Sequence, residues 1–384
     1  MKIGIMTMWN AIDNYGGILQ TYALQRYLRD LGHDAYDIRF TNLEGRYRYL
    51  KFCIKKIISF LHISLRDVDR AEFDAKKRRF GDFKKKYLNL SKDTYVSLQE
   101  LQTNAPIADV YITGSDQVWA RSLKKSINER AWYLDFGLKN TIRIAYAVSF
   151  GHSYCPVEDD VLFKQLVSRF SYVSTREING IRFCRERGIN AERCIDSTFL
   201  LSADHYIGLA TNRKYQSDFA YLYLLNVGTP NEIHFNEVLK EINKKGYKAI
   251  CTTASGYSPA KEIYEGVVYD YASVEEWLSN ILYSSIFFTT SFHGIVFALM
   301  LKKQFIYLPL QTNGSGNDRV FDLLDCVKLK NRTASINNIV ELMENSINYD
   351  DVDFSSIISM IAQSKYFLTK SLSVNDKENF DLDI

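Results

Sequence analysis

The chain has 384 residues, 46% hydrophobic and 24% charged, with a formal net charge of +3. That is length enough for two ordinary domains, in the balance of a soluble globular protein, and so small a charge carries no nucleic-acid signature. The six cysteines (Cys53, Cys155, Cys184, Cys194, Cys251, Cys326) form no C-x-x-C pair, so zinc and thioredoxin-like readings gain no support. Scattered single cysteines suit a reducing cytoplasm. No apolar run approaches about 18 residues, so no membrane span is expected, and the first residues lack the layout of a secretory leader.

In chain order, Lys2–Met8 reads as a strand, Trp9 to Gly17 as a polar, turn-rich loop, and Ile18–Leu28 as an amphipathic helix. The helix stops near Gly32, and Ala35–Phe40 is the next strand. This βαβ start puts Gly16 and Gly17 at a helix N-terminus, where glycine either lets backbone N–H groups approach a ligand or simply makes a tight turn. The G-x-G-x-x-G spacing is absent, so no dinucleotide is inferred. Residues 49–65 align Leu50, Cys53, Ile54, Ile57, Ile58, Leu61 and Leu65 on one helical face. Phe73, Phe80, Phe83 and Tyr87 continue the stripe among many Lys and Arg. Two readings stay open for this segment: a helical hairpin packed on its domain with solvated basic faces, or a basic surface touching an anionic membrane.

Several later strands end in polar residues. Ile107–Thr113 runs into Gly114-Ser115-Asp116-Gln117-Val118-Trp119, and Arg143–Val148 into Ser149-Phe150-Gly151-His152. Tyr172–Thr175 runs into Arg176-Glu177, and the short Arg193–Ile195 into Asp196-Ser197-Thr198. In an open parallel sheet such ends share one edge, the edge where α/β folds bind ligands. Thr211–Asp218 reads as a linker. A second α/β run follows, with strands at Phe219–Asn226, Tyr247–Thr253 and Gly266–Tyr271 and helices at Glu232–Lys245 and Val274–Tyr283. Ser285–Thr290 is an apolar run typical of a strand buried on both faces. Ser291-Phe292-His293-Gly294 breaks it, a helix follows, and Phe305–Pro309 is another buried strand. His293 thus sits at a strand-to-helix junction, where free helix N–H groups favour an anion, although a lone His in an apolar setting is more often a packing or capping residue. A glycine-rich loop at 311–319 opens a helix at Val320–Cys326. Helices near Ile336–Asn345 and Phe354–Leu372 lead to a polar tail.

The expected fold class is α/β, with two Rossmann-like domains facing an inter-domain cleft. The first domain is 1–210, with a helical insertion at about 46–90, and the second is 211–350. Residues 351–384 supply a helix that packs back toward the N-terminal domain, and the tail. Polar strand ends from both halves would bring Asp13, Ser115, Asp116, His152, Arg176, Ser291, His293 and Arg319 to the cleft. Arg grips carboxylate and phosphate bidentately, so two Arg, one or two His and two helix N-termini suit a small anion carrying both groups. For Arg176 the alternative is a surface ion pair with Glu177. For Arg319, in a first helical turn where the dipole disfavours a cation, the alternative is a solvent-facing side chain. No ligand cluster suggests a metal.

The segments WNAIDNYGGILQTYALQRYL, GSDQVW, AVSFG, STREINGI, DSTFLL and TTSFHGIVFALMLKKQF occur in that order over most of residues 3–330. Together they resemble the polysaccharide pyruvyl transferase family. The resemblance implies a GT-B-like pair of domains, the N-terminal one on the acceptor side. It also implies transfer of pyruvate from phosphoenolpyruvate to a sugar hydroxyl pair, forming a pyruvyl ketal in capsular or exopolysaccharide biosynthesis. Phosphoenolpyruvate is then a co-substrate, and no cofactor or metal is implied. The acceptor would be a galactose-type or other sugar, and the enzyme cytoplasmic. If the acceptor is lipid-linked, the basic helices offer a peripheral contact at the inner face of the cell membrane. The family's Arg after Ser-x matches Arg176, and the His of its Arg-Leu-His-Gly segment matches His293. The Arg of that segment is Ser291 here, and Arg319 in the next loop is its candidate replacement. On this reading the donor meets Arg176, His293, Ser291, Arg319, His152 and Gly294. The acceptor meets Asp13, Asn14, Tyr15, Gly16, Gly17, Ser115, Gln117 and Trp119. His293, Arg176 and Asp116 serve catalysis, with Asp116 or Asp13 accepting a hydroxyl proton. The alternatives are a GT-B glycosyltransferase consuming a nucleotide sugar and a non-catalytic sugar- or phosphate-binding protein.

Overall fold

The computed structural model describes residues 1–42, 76–151, 160–254, 262–311 and 316–373. Of the helical insertion expected at 46–90, helix Phe80–Tyr87 lies within these residues and buries Phe80 and Phe83; most of the rest, like the polar tail, lies outside them.

Two parallel sheets organise the chain. The first has seven strands: β1 (Lys2–Met6), β2 (Asp34–Phe40), β3 (Leu90–Tyr95), β4 (Val110–Gly114), β5 (Ile142–Val148), β6 (Tyr172–Thr175) and β7 (Glu192–Arg193), in the spatial order β3-β2-β1-β4-β5-β6-β7. The second has five: β8 (Phe219–Leu225), β9 (Lys248–Ala254), β10 (Val268–Tyr269), β11 (Ile286–Thr289) and β12 (Phe305–Tyr307), in the order β10-β9-β8-β11-β12. Each order reverses at its first strand, between β1 and β4 and between β8 and β11. These switch points are where the loops after neighbouring strands diverge and leave a crevice. The two units face each other in a GT-B-like arrangement.

The central strands form as their composition demands. Helices cover both faces of a parallel sheet, so its inner strands must be apolar on both sides; β4 and β11 are buried throughout. The edges differ. The stretch expected as Arg193–Ile195 pairs only over β7, and Gly266–Tyr271 only over β10, because edge strands have one neighbour each. Strand β3 escapes sequence reading because LSKDTY is largely polar and half exposed, as edge strands tend to be. The first helix begins at Tyr15, ahead of the expected Ile18, because the Asn14 side chain caps it by accepting from Gly17 N at 3.0 Å.

Two contacts tie the chain together across the sheets. The last helix, Ser355–Leu372, packs Phe367, Leu368 and Leu372 into the core of Ile3, Ile5, Leu24 and Leu28 behind the first sheet, and its Ser364 Oγ accepts from Ile195 N at 2.8 Å. Tyr15, fully buried, stacks on Trp277 of the second unit at 5.3 Å and donates to Ala272 O at 2.6 Å. Arg78 completes this joint by donating to Tyr15 Oη at 2.9 Å and to Thr253 O at 2.8 Å. Burial pushes the Tyr15 phenol up to about 12 despite the nearby Arg78 charge. No helix among the described residues is long and apolar enough to cross a membrane.

One buried acid gives the fold a pH signature. Asp37 on β2 is fully buried and accepts from Thr7 Oγ1 at 2.6 Å and from Gln25 Nε2. Burial raises its pKa to about 7, against the pull of those two donors. The folded state therefore holds a proton that the unfolded chain releases near pH 4, so stability falls as pH rises through that window and levels off above about 7. Urea unfolding should show wild type losing about 3 kcal/mol relative to Asp37→Asn between pH 5 and pH 8; a pH-independent difference would contradict this placement of the proton.

Candidate active site

The polar strand ends converge on one buried carboxylate, that of Asp196, just past β7. Its Oδ2 accepts from Arg176 Nη1 at 2.6 Å and lies 3.4 Å from His293 Nε2. Its Oδ1 accepts from Thr198 N at 3.0 Å and from Thr198 Oγ1 at 2.7 Å. Arg176 follows β6 of the first sheet and His293 follows β11 of the second, so one oxygen atom is approached by side-chain nitrogens supplied from both sheets. Burial alone would raise the Asp196 pKa; the charges of His293 and Arg176 and the Thr198 N–H outweigh it and hold the carboxyl well below the usual range.

Arg176 is almost enclosed. Glu177 Oε1 is 3.5 Å from its Nε and Asp116 Oδ1 is 4.0 Å from its Nη2, while Nη1 also donates to Ser115 O at 3.2 Å. Burial disfavours its charge, but Glu177, Asp196 and Asp116 overcome that and raise its pKa above the ordinary value. Its Nε and Nη2 nevertheless have no hydrogen-bond partner among the described residues. Its guanidinium lies 4.7 Å from the centre of the Phe292 ring, and Arg319 approaches the same ring at 5.7 Å. Arg176, Glu177, Arg193, Asp196, Phe292, Arg319 and Asp322 line a hollow whose free space is about 30 Å³, room for a water or two.

His293 is placed by the helix Phe292–Met300 and by a glycine on the facing helix. Ser291 caps that helix by accepting from Gly294 N at 3.3 Å, which leaves the first-turn N–H groups of Phe292 and His293 outside the helical ladder. A side chain on Gly16, at the N-terminus of helix Tyr15–Asp30, would begin 2.2 Å from the imidazole. Glycine there is what allows the two helix N-termini, one from each sheet, to meet.

The sequence candidates divide accordingly. Arg176 and Arg319 line the hollow, Ser115 and His293 reach Asp196, Asp116 and Gln117 reach the two arginines, and Gly16 lies against His293. Ser115 Oγ accepts from Ser197 N at 2.9 Å and reaches Asp196 at 3.4 Å. Asp13 is buried near the joint between the sheets, beside Tyr223, whose pKa is raised chiefly by burial and further by Tyr15 and the Asp13 charge. Trp119, expected at the acceptor, is instead fully buried and stacked on Tyr133 at 4.9 Å, because an apolar aromatic beside a polar turn gains more from the core than from solvent. Tyr15 is likewise a core residue of the joint. Asn14 and Ser291 are spent on capping, and Gly294 exists for packing, since a Cβ there would meet Thr289 Oγ1 at 2.4 Å. Gly17 packs on Asn14 at its own cap. His152 lies outside the described residues. Asp196 was missed: its sequence signals are its place at the end of a strand-like run, beside Ser197 and Thr198, and its position at the head of the DSTFLL segment.

A family model described as polysaccharide pyruvyl transferase matches residues 14–312. No curated protein matches the chain. Solved structures similar to it include a UDP-N-acetylglucosamine 2-epimerase from Rickettsia bellii, with 10% identity, 99% of this chain and 98% of that one covered, and a TM-score of 0.47. Another is MnaA of S. aureus in a co-structure with UDP, at 12% identity, 96% and 97% coverage and a TM-score of 0.45. The glycosyltransferase SsfS6 of Streptomyces sp. SF2575 shows 10% identity, 97% and 96% coverage and a TM-score of 0.36.

The contact of Gly16 with His293 makes a test that opposes helix propensity to site geometry. Gly→Ala inside a helix normally stabilises by about 0.5–1 kcal/mol. Gly208, in helix Ala203–Leu209 with nothing near its Cβ position, should show that gain. Gly16→Ala should destabilise in the same denaturation assay, and a gain equal to that of Gly208→Ala would contradict the contact.

Proposed function

Since the chain belongs to the polysaccharide pyruvyl transferase family, we propose that it moves pyruvate from phosphoenolpyruvate to a pair of sugar hydroxyls, forming a pyruvyl ketal in capsular or exopolysaccharide biosynthesis. The observation that carries this reading is the sharing of one buried Asp196 oxygen by Arg176 and His293, which come from different sheets. A three-carbon donor with a carboxylate and a phosphate needs cationic and N–H donors on two sides. The unpartnered Nε and Nη2 of Arg176 and the free first turn at Phe292 and His293 offer both.

The chemistry balances with the residues present. The donor's double bond takes a proton on its methylene carbon, which becomes a methyl group, and the neighbouring carbon becomes an oxocarbenium-like centre. One sugar hydroxyl adds to that carbon and releases its proton. The second hydroxyl then forms a second C–O bond to the same carbon and loses its proton, while the bond to the phosphate oxygen breaks and inorganic phosphate leaves with the electron pair. His293 serves as the acid or as the stabiliser of the departing phosphate. Asp116 accepts a hydroxyl proton. Asp196 fixes the orientation of the imidazole and the guanidinium together, the role of a buried carboxylate behind a working His. The acceptor, a galactose-type or other sugar, approaches from the first-sheet side of the crevice.

The assay follows phosphate release from phosphoenolpyruvate together with a mass gain of one ketal on galactose-type acceptors. His293→Ala should lower turnover by about 10²-fold or more, the scale of a lost acid–base group. Near wild-type release would remove His293 from the chemistry, and consumption of a sugar nucleotide in place of phosphoenolpyruvate would overturn the reading.

A further inference from the structure

The cations around the hollow are not equivalent. Arg176 has three carboxylates within ion-pair distance: Asp196 at 2.6 Å, Glu177 at 3.5 Å and Asp116 at 4.0 Å. Arg319, at the start of helix Asn317–Cys326, has no carboxylate within that distance among the described residues. Its partner across the cleft is neutral. Gln117, in the loop after β4, presents its carboxamide oxygen, the only amide orientation compatible with a guanidinium, to Nη2 at 2.7 Å and Nη1 at 3.1 Å. The remaining Nε is buried without a hydrogen bond, and the flat face of the group lies by Phe292 at 5.7 Å. Burial, and next the charge of Arg176, press against the charged state of Arg319.

Of these two arginines, Arg319 is therefore the one at which an incoming anion gains more. At Arg176 it must compete with carboxylates already in place, whereas at Arg319 it replaces only a neutral oxygen, and charge-assisted bonds are roughly twice as strong as neutral ones. The hollow is also too tight for a phosphate as it stands. The wall that yields most readily is the side chain held by a carboxamide alone.

We propose that Arg319 is the principal contact for the donor's anionic group, that Gln117 is the positioning residue that holds its fork toward the cleft until the anion takes over, and that Phe292 is the platform on which it lies. This deepens the phosphoenolpyruvate reading and rests on it for the identity of the donor; the ligand class itself, a small phosphate- or carboxylate-bearing anion, follows from the geometry. The two arginines then differ in role: Arg176 holds Asp196, and Arg319 receives the charge.

Gln117→Glu is the decisive variant because it is nearly isosteric and supplies Arg319 with the counter-ion it lacks. The fold should be retained or stabilised, which thermal denaturation reads, while KM for phosphoenolpyruvate rises at least about 10-fold with kcat changed far less. Arg319→Gln should raise KM similarly. Titration calorimetry with inorganic phosphate as the probe should show the same weakening in both variants. An unchanged KM and unchanged phosphate affinity in Gln117→Glu would overturn the proposal. Wild-type ketal formation with an unaffected Gln117→Glu enzyme would sink this inference alone. Weakened phosphate binding in both variants, with no pyruvate transfer by wild type, would uphold the anion site and sink the donor reading alone.

Discussion

A single carboxylate with no exposure to water governs this structure. Removing Asp196 from solvent is unfavourable by several kcal/mol unless opposite charges are brought to it. The chain brings the Arg176 guanidinium from one sheet and the His293 imidazole from the other, and adds the N–H and hydroxyl of Thr198. None of these groups could be buried alone at acceptable cost. They stand as a set, and the set exists only when the two sheets are docked.

The docking is prepared elsewhere. The Tyr15–Trp277 stack and the Arg78 bonds to Tyr15 and Thr253 fix the N-terminus of the first helix against the second unit. One residue later, Gly16 touches the His293 ring. The final helix returns to the first sheet and holds the Asp196 segment through Ser364 and Ile195. Packing far from the charges thus sets their separation. The parallel topology does the rest, because both switch points open on the same crevice, and the ends of β4, β6, β7 and β11 deliver Ser115, Arg176, Asp196 and His293 to it.

Much of this was legible in the sequence, and what was not has identifiable causes. Inner strands announce themselves because burial on both faces demands continuous apolar runs, as in β11; the polar edge strand β3 makes no such demand. Arg176 and His293 were legible because a charged or polar residue interrupting such runs marks a strand end. Asp196 had the same placement, but its importance lies in which cations reach it, and those are 20 and 97 positions away along the chain. Aromatic residues misled for a related reason. Tyr15 and Trp119 sit in polar, turn-rich stretches, yet each folds its ring into a core built from distant segments. The ranking of the two arginines depended on counting neighbouring carboxylates, a property of the folded chain alone.

The most direct test of the account is a crystal structure of the protein with phosphoenolpyruvate bound. The donor should lie in the crevice between the sheets, its anionic oxygens on Arg319 and on the open edge of Arg176, its methylene carbon facing His293, and Asp196 still bridging the two sheets. A donor bound away from this crevice, or one that leaves both guanidiniums untouched, would contradict it.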